Sequence, residues 1–137
     1  DPRHPWAGAG RALRKEIPRQ QYILYFRNSL TFAVIEKYFQ ADEVIIKSVI
    51  DMGSMSAIKE LVKLGLGITI MAPWVAREEL RRKELVALPL GRRKLKRKWG
   101  VLHWKGRPFG WAEETFMQLC RSGAKQFAAR NGLSSHV

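Results

Sequence analysis

The sequence predicts an α/β fold, a mostly parallel sheet flanked by helices, and three observations carry that reading. Short apolar runs rich in β-branched and aromatic residues alternate with stretches whose apolar residues recur at helical spacing. Hydroxyl or amide side chains stand where helices would begin, and glycine or proline stands where elements would stop. The 137 residues, 46% of them hydrophobic, suffice for one compact domain with a real core.

The opening, through Lys15, is rich in Gly, Pro and Ala and reads as irregular, with Ala7-Gly8-Ala9-Gly10 as a flexible stretch. Tyr22 to Phe26 is a continuous apolar run, the pattern of a strand buried on both faces. Asn28-Ser29 then offers helix-capping chemistry, and Phe32, Ile35, Tyr38 and Phe39 recur at helical spacing to about Gln40. Val44 to Ile50 reads as a second strand. Gly53-Ser54-Met55-Ser56 supplies another cap, and Ile58, Leu61, Val62 and Leu64 follow at helical spacing before Gly65 ends the helix. Gly67 to Met71 reads as a third buried strand, stopped by Pro73, which has no N–H for a ladder. Such alternation implies right-handed crossovers and a largely parallel sheet. A short charged helix (Val75 to Arg82), a small strand (Glu84 to Leu88), a strand from Trp99 to Trp104 and a long helix from Gly110 to about Ala129 complete the reading. That last helix would present Trp111, Phe116, Leu119 and Cys120 on its apolar face.

Composition narrows the function. No apolar run approaches the roughly 20 residues that cross a bilayer, and the first residues lack the pattern of a signal peptide, so a soluble cytoplasmic protein without a membrane partner is expected. One cysteine, Cys120, excludes an internal disulfide, and His4, His103 and His136 stand alone, without zinc spacing. Neither a metal nor a cofactor is expected, and no nucleophile–base pair marks an enzyme. The net charge of +13 favours anionic partners. Part of the excess sits in Arg77 to Lys83 and in Arg92 to Lys98, a run with one apolar residue among seven. The run reads either as a solvated connector or as a patch for an anion or partner.

Chemistry concentrates at two helix starts. A helix N-terminus offers unpaired amide N–H groups and partial positive charge, which together suit a carboxylate or phosphate. Asn28, Ser29 and Thr31 form one set, and Gly53, Ser54, Met55 and Ser56 the other. Both follow the C-terminal ends of predicted strands, where ligands of open α/β sheets bind. Plain capping is the competing reading for each.

Several segments, in this order, resemble the effector-binding domain of LysR-type transcription regulators. His4-Pro5-Trp6-Ala7 is similar to the segment at which that domain's chain enters its second subdomain. Ser56 to Pro73 resembles the family's helix, glycine turn, buried strand and terminal proline, and Trp99 to Pro108 followed by a helix with Ala112 and Phe116 resembles its last strand and C-terminal helix. The resemblance implies a periplasmic-binding-protein type 2-like fold: a second subdomain over residues 4–103, and over 104–137 a C-terminal helix and tail of a first subdomain that is incomplete here. It implies a small-molecule effector in the cleft between subdomains, with Ser54 and Met55 matching cleft-lining positions and Asn28, Ser29 and Thr31 facing the same cleft. An organic anion suits the helix termini and the charge. The resemblance also implies a homo-oligomer, dimer or tetramer, whose arrangement the effector controls, and promoter DNA held only by a winged helix-turn-helix absent from this sequence. The alternative is a basic nucleic-acid-binding module using residues 92–104, where Trp99 and Trp104 could stack on bases.

Overall fold

The computed structural model of the protein describes residues 1–91 and 93–131; the expectations at Arg92 and His136 lie outside them. The chain forms two compact units, residues 1–97 and 98–137.

The first unit is built around strand β1 (Gln21–Tyr25), whose central residues Tyr22, Ile23 and Leu24 are all buried. Side chains of a strand alternate between faces, so this continuous run serves two cores at once. Tyr22 and Leu24 join Ile35, Tyr38 and Phe39 of helix α2 (Leu30–Gln40), together with Trp6 and Ile17. Ile23 points the other way, to Ile58 and Val62 of helix α3 (Met55–Lys63) and to Ala76 and Leu85. Strand β2 (Ser48–Met52) pairs with β1 in parallel, Gln21 opposite Ser48 and Tyr25 opposite Met52. The α/β character and the parallel pairing predicted from alternation are therefore present, in a sheet of two named strands.

Five expectations need correction. The opening is not irregular: helix α1 (Pro5–Ala9) and a 3-10 turn (Arg14–Arg19) occupy it. His4 caps α1, accepting from the Trp6 N–H at Nδ1, and Gly10 closes it in the left-handed conformation at φ 65°. The buried Trp6 ring, whose indole N–H donates to Glu16 at 2.7 Å, supplies the tertiary anchor that the Gly-Ala composition obscures. The second strand begins at Ser48 rather than Val44, because its register leaves Val44–Lys47 ahead of the first residue of β1 with nothing to pair to. Val44 and Ile46 instead pack their side chains on the first core.

The segment from Gly67 to Met71 meets β1 at one bridge, Tyr22 with Ile68, closed by Ile23 N–H to Ile68 C=O (2.8 Å) and Ile68 N–H to Gln21 C=O (2.9 Å). It keeps two-sided burial, Ile68 and Ile70 on the first core and Met71 on the second. Pro73 then opens a 3-10 turn (Pro73–Ala76) that leads the backbone away from β1 into helix α4 (Arg77–Arg81). Glu84 to Leu88 and Trp99 to Trp104 are not strands among the described residues: Leu85 is buried and Leu88 half-buried as single side chains, and Trp99, Leu102 and Trp104 are exposed.

Two glycines are demanded by geometry. After α3, Gly65 (φ 79°) donates to Val62 C=O while Leu66 donates to Leu61 C=O, the paired bonds of a Schellman stop. A Cβ on Gly67 would lie 2.6 Å from the Gln21 carbonyl oxygen, so only glycine lets this segment reach β1.

The second unit carries helix α5 (Trp111–Asn131), one residue later at its start and two longer at its end than the spacing predicts. Gly110 N–H donates to the Glu113 carboxylate at 2.8 Å, closing its first turn. Trp111, Phe116 and Leu119 are exposed, as their spacing on one apolar face leads one to expect when no neighbour covers them.

Candidate functional site

Both predicted helix starts lie at one edge of the sheet. Parallel strands paired from Gln21–Ser48 to Tyr25–Met52 end level with each other, so the chain leaves β1 toward α2 and β2 toward α3 on the same side. Ser29 is the N-cap of α2, its Oγ accepting from the Phe32 N–H at 3.1 Å. Ser54 is the N-cap of α3, its Oγ accepting from the Ala57 N–H at 3.3 Å. Each hydroxyl satisfies one of the several amides that a helix start leaves open. Asn28, Gly53, Ser54 and Ser56 are exposed, and Ser29, Thr31 and Met55 half-buried, Met55 packing its side chain on the second core.

Four contacts lie at this edge. The Phe26 ring lies over Gly53, its Cζ 2.5 Å from where a Cβ would stand, so a side chain there would have to displace the ring. Arg27 at the end of β1 pairs with Asp51 of β2 at 3.3 Å, and its guanidinium stands 5.6 Å from the centre of the Phe32 ring. Arg97 donates to the Thr31 Oγ1 at 2.8 Å, bringing a cation to the start of α2.

Arg97 and Phe26, like the Arg27–Asp51 pair, are residues of this edge that reading the sequence missed. Arg97 is 66 positions from Thr31, and nothing local in a basic run indicates which of its members folds back. Phe26 looked like one more apolar strand residue, yet its ring is half exposed beside the second cap.

The remaining chemistry-bearing residues have structural settings. The His4 Nε2 lies 3.1 Å from Gln20 Oε1, so the ring carrying its proton on Nε2 satisfies both this contact and the cap at Nδ1. His103 packs edge-on against Phe109 with ring centres 4.7 Å apart. Cys120 is a free, half-buried thiol. Among the described residues no group of three or more His, Cys, Asp or Glu side chains could hold a metal ion, and no helix is long and apolar enough to cross a membrane.

Residues 1–125 match the family model described as the LysR substrate binding domain. Curated relatives have the same character. The chain is 33% identical over 97 residues to the RuBisCO operon transcriptional regulator of Acidithiobacillus ferrooxidans, covering 71% of this chain and 31% of that protein. It is 24% identical over 131 residues to the protein of that name in Allochromatium vinosum, covering 96% and 43%. It is 27% identical over 129 residues to the HTH-type transcriptional regulator CfxR of Cupriavidus necator, covering 94% and 41%. The chain thus spans less than half the length of each of these relatives.

Proposed function

The chain belongs to the LysR substrate-binding domain family, and we propose that it is the effector-sensing part of a transcription regulator, taking a small organic anion at the edge where α2 and α3 begin. The observation that carries this reading is the convergence of two capped helix starts on one edge of a parallel sheet, with Arg97 held on Thr31 of the first. Open amides, aligned helix dipoles and a guanidinium together favour a carboxylate or phosphate over a neutral ligand. Asn28, Ser29, Thr31, Gly53, Ser54, Met55 and Ser56 are the proposed contacts, with Arg97 added to them.

The anion regulates only through its different affinities for two arrangements of the longer protein. Those arrangements are of a homo-oligomer, for which the exposed apolar residues of α5 offer one contact surface. Promoter DNA is read by a separate helix-turn-helix segment of the longer protein, and this part carries out no catalysis.

Thermal-shift screening against inorganic phosphate, sugar phosphates and small carboxylates tests the reading. Binding to the folded chain raises the melting midpoint by mass action, about 2.7 kcal/mol of stabilisation at a ligand concentration a hundred times Kd. One class of anion should raise the midpoint, and Ser54→Asp, which keeps a capping oxygen while adding a negative charge, should abolish the rise. Failure of every anion to stabilise the chain, or an undiminished rise in Ser54→Asp, would overturn it.

A further inference from the structure

Six of the seven residues from Arg92 to Lys98 are cationic, and the effector reading uses only Arg97. From Arg93 to Arg97 the chain lies along α2 in the opposite direction. At one end the Arg93 guanidinium reaches Asp42 at 2.8 Å and donates to the Tyr38 carbonyl at 2.8 Å, standing 4.6 Å from the centre of the Tyr38 ring. The Tyr38 hydroxyl returns a bond to the Arg93 carbonyl, also at 2.8 Å. At the other end Arg97 holds Thr31. Thr31 and Tyr38 are separated by about 10 Å of helix at roughly 1.5 Å per residue. Four residues of strap cover that span at about 2.6 Å each, most of the roughly 3.3 Å rise of extended chain.

In extended chain, residues two apart share a side. Arg93, Leu95 and Arg97 are the fastened side, and Leu95, the run's single apolar residue, packs on the first core. Lys94 and Lys96 fall on the other side; both are exposed, and neither forms an ion pair among the described residues. Residues 93–97 are thus a strap pinned by alternate residues, with the intervening lysines presented outward.

We propose that this strap is a sequence-independent docking strip for the phosphates of duplex DNA, with Lys94 and Lys96 making the contacts. Two lysines on one edge of extended chain stand about 6.6 Å apart, a separation suited to successive phosphates of one strand. Because the backbone is already fastened at Arg93, Leu95 and Arg97, little ordering cost remains when DNA is bound. A lipid surface is the poorer match, since an interfacial anchor needs apolar side chains facing outward and the strap turns its only one inward. The strip is separate from effector sensing and stands without it.

The test is fluorescence anisotropy of a labelled random-sequence duplex titrated with the 137-residue chain at several salt concentrations. Each phosphate contact contributes about 0.9 to the slope of log affinity against log salt, so Lys94→Ala with Lys96→Ala should flatten that slope by about 1.8 and weaken binding about tenfold or more at low salt. Arg11→Ala with Lys15→Ala removes the same charge from exposed positions elsewhere and should change both quantities much less. The proposal is overturned if the chain does not bind the duplex or the strap variant binds as the parent does. Equal weakening by both double variants also overturns it, because net charge alone would then act. So does binding to anionic phosphatidylglycerol vesicles as tight as to the duplex.

Discussion

At Ser29 and Ser54 the hydroxyl that would touch an anion is the hydroxyl that caps a helix, so a replacement is informative only if it separates the two roles. Alanine removes the cap, and Ser29→Ala or Ser54→Ala should each cost about 1 kcal/mol, measurable as a lower urea midpoint. Aspartate caps as well as serine does, so Ser29→Asp should leave the urea midpoint near that of the parent while repelling an anion. Gly67 is a stricter position. Alanine there meets the Gln21 carbonyl oxygen at 2.6 Å and must push the segment off β1, so Gly67→Ala should destabilise by about 1–3 kcal/mol. Tyr22 sets an alkaline limit. Its buried hydroxyl donates to the Ile17 carbonyl at 3.1 Å, and burial pushes the phenol up from 10.0 to about 12. A folded pKa above the unfolded one gives stability that is whole below pH 10.0 and drains as pH rises toward 12. Chemical-denaturation midpoints taken from pH 8 upward should show that decline in the parent and a smaller one in Tyr22→Phe.

Among the elements, α3 and α4 share the second core, where Leu80 packs with Ile58 and Val62, and one largely covered ion pair joins them as well. Lys59 Nζ meets Glu79 Oε1 at 2.6 Å with both side chains mostly covered, while the other Glu79 oxygen is buried without a hydrogen-bond partner among the described residues. The Lys59 ammonium, followed by a backbone N–H, holds the Glu79 carboxyl below its ordinary 4.5. A depressed folded pKa contributes stability that is present above pH 4.5 and is lost as pH falls through the folded value. Lys59→Met should therefore lower the melting temperature at neutral pH and make the melting curve less sensitive to acid, which melts between pH 3 and pH 7 would register. None of this pairing was legible beforehand, because it joins residues 20 positions apart. What was legible depended on local signals. The buried run at Tyr22, the serines at 29 and 54 and the stop at Gly65 act within a few residues of themselves, and the elements they mark formed as expected. Val44, Leu85 and Trp99 carry strand-like chemistry, but a strand exists only where a partner lies alongside, and their neighbours in sequence do not reveal that. The two caps could be located for the same local reason, whereas Arg97 reaches its place through tertiary folding.

For the molecule as a whole, Trp111, Phe116 and Leu119 of α5 stand exposed on one helix, and exposed apolar surface of that kind favours association. The 137-residue chain should accordingly sediment as a dimer or larger species, and Trp111→Ser with Phe116→Ser should shift it to monomer; a parent that sediments as a monomer would contradict this. The effector sensing proposed at the shared edge of α2 and α3 is read directly by amide chemical shifts. The decisive measurement is a two-dimensional NMR titration of the isotope-labelled chain with the anion that stabilises it most. Saturable shifts centred on Ser29 to Phe32 and Ser54 to Ala57, absent in Ser54→Asp, are the expected result. Shifts confined to the strap at residues 93–98, or spread without saturation over the basic surface, would mean that the anion meets only the protein's charge and that the two helix starts are caps and nothing more.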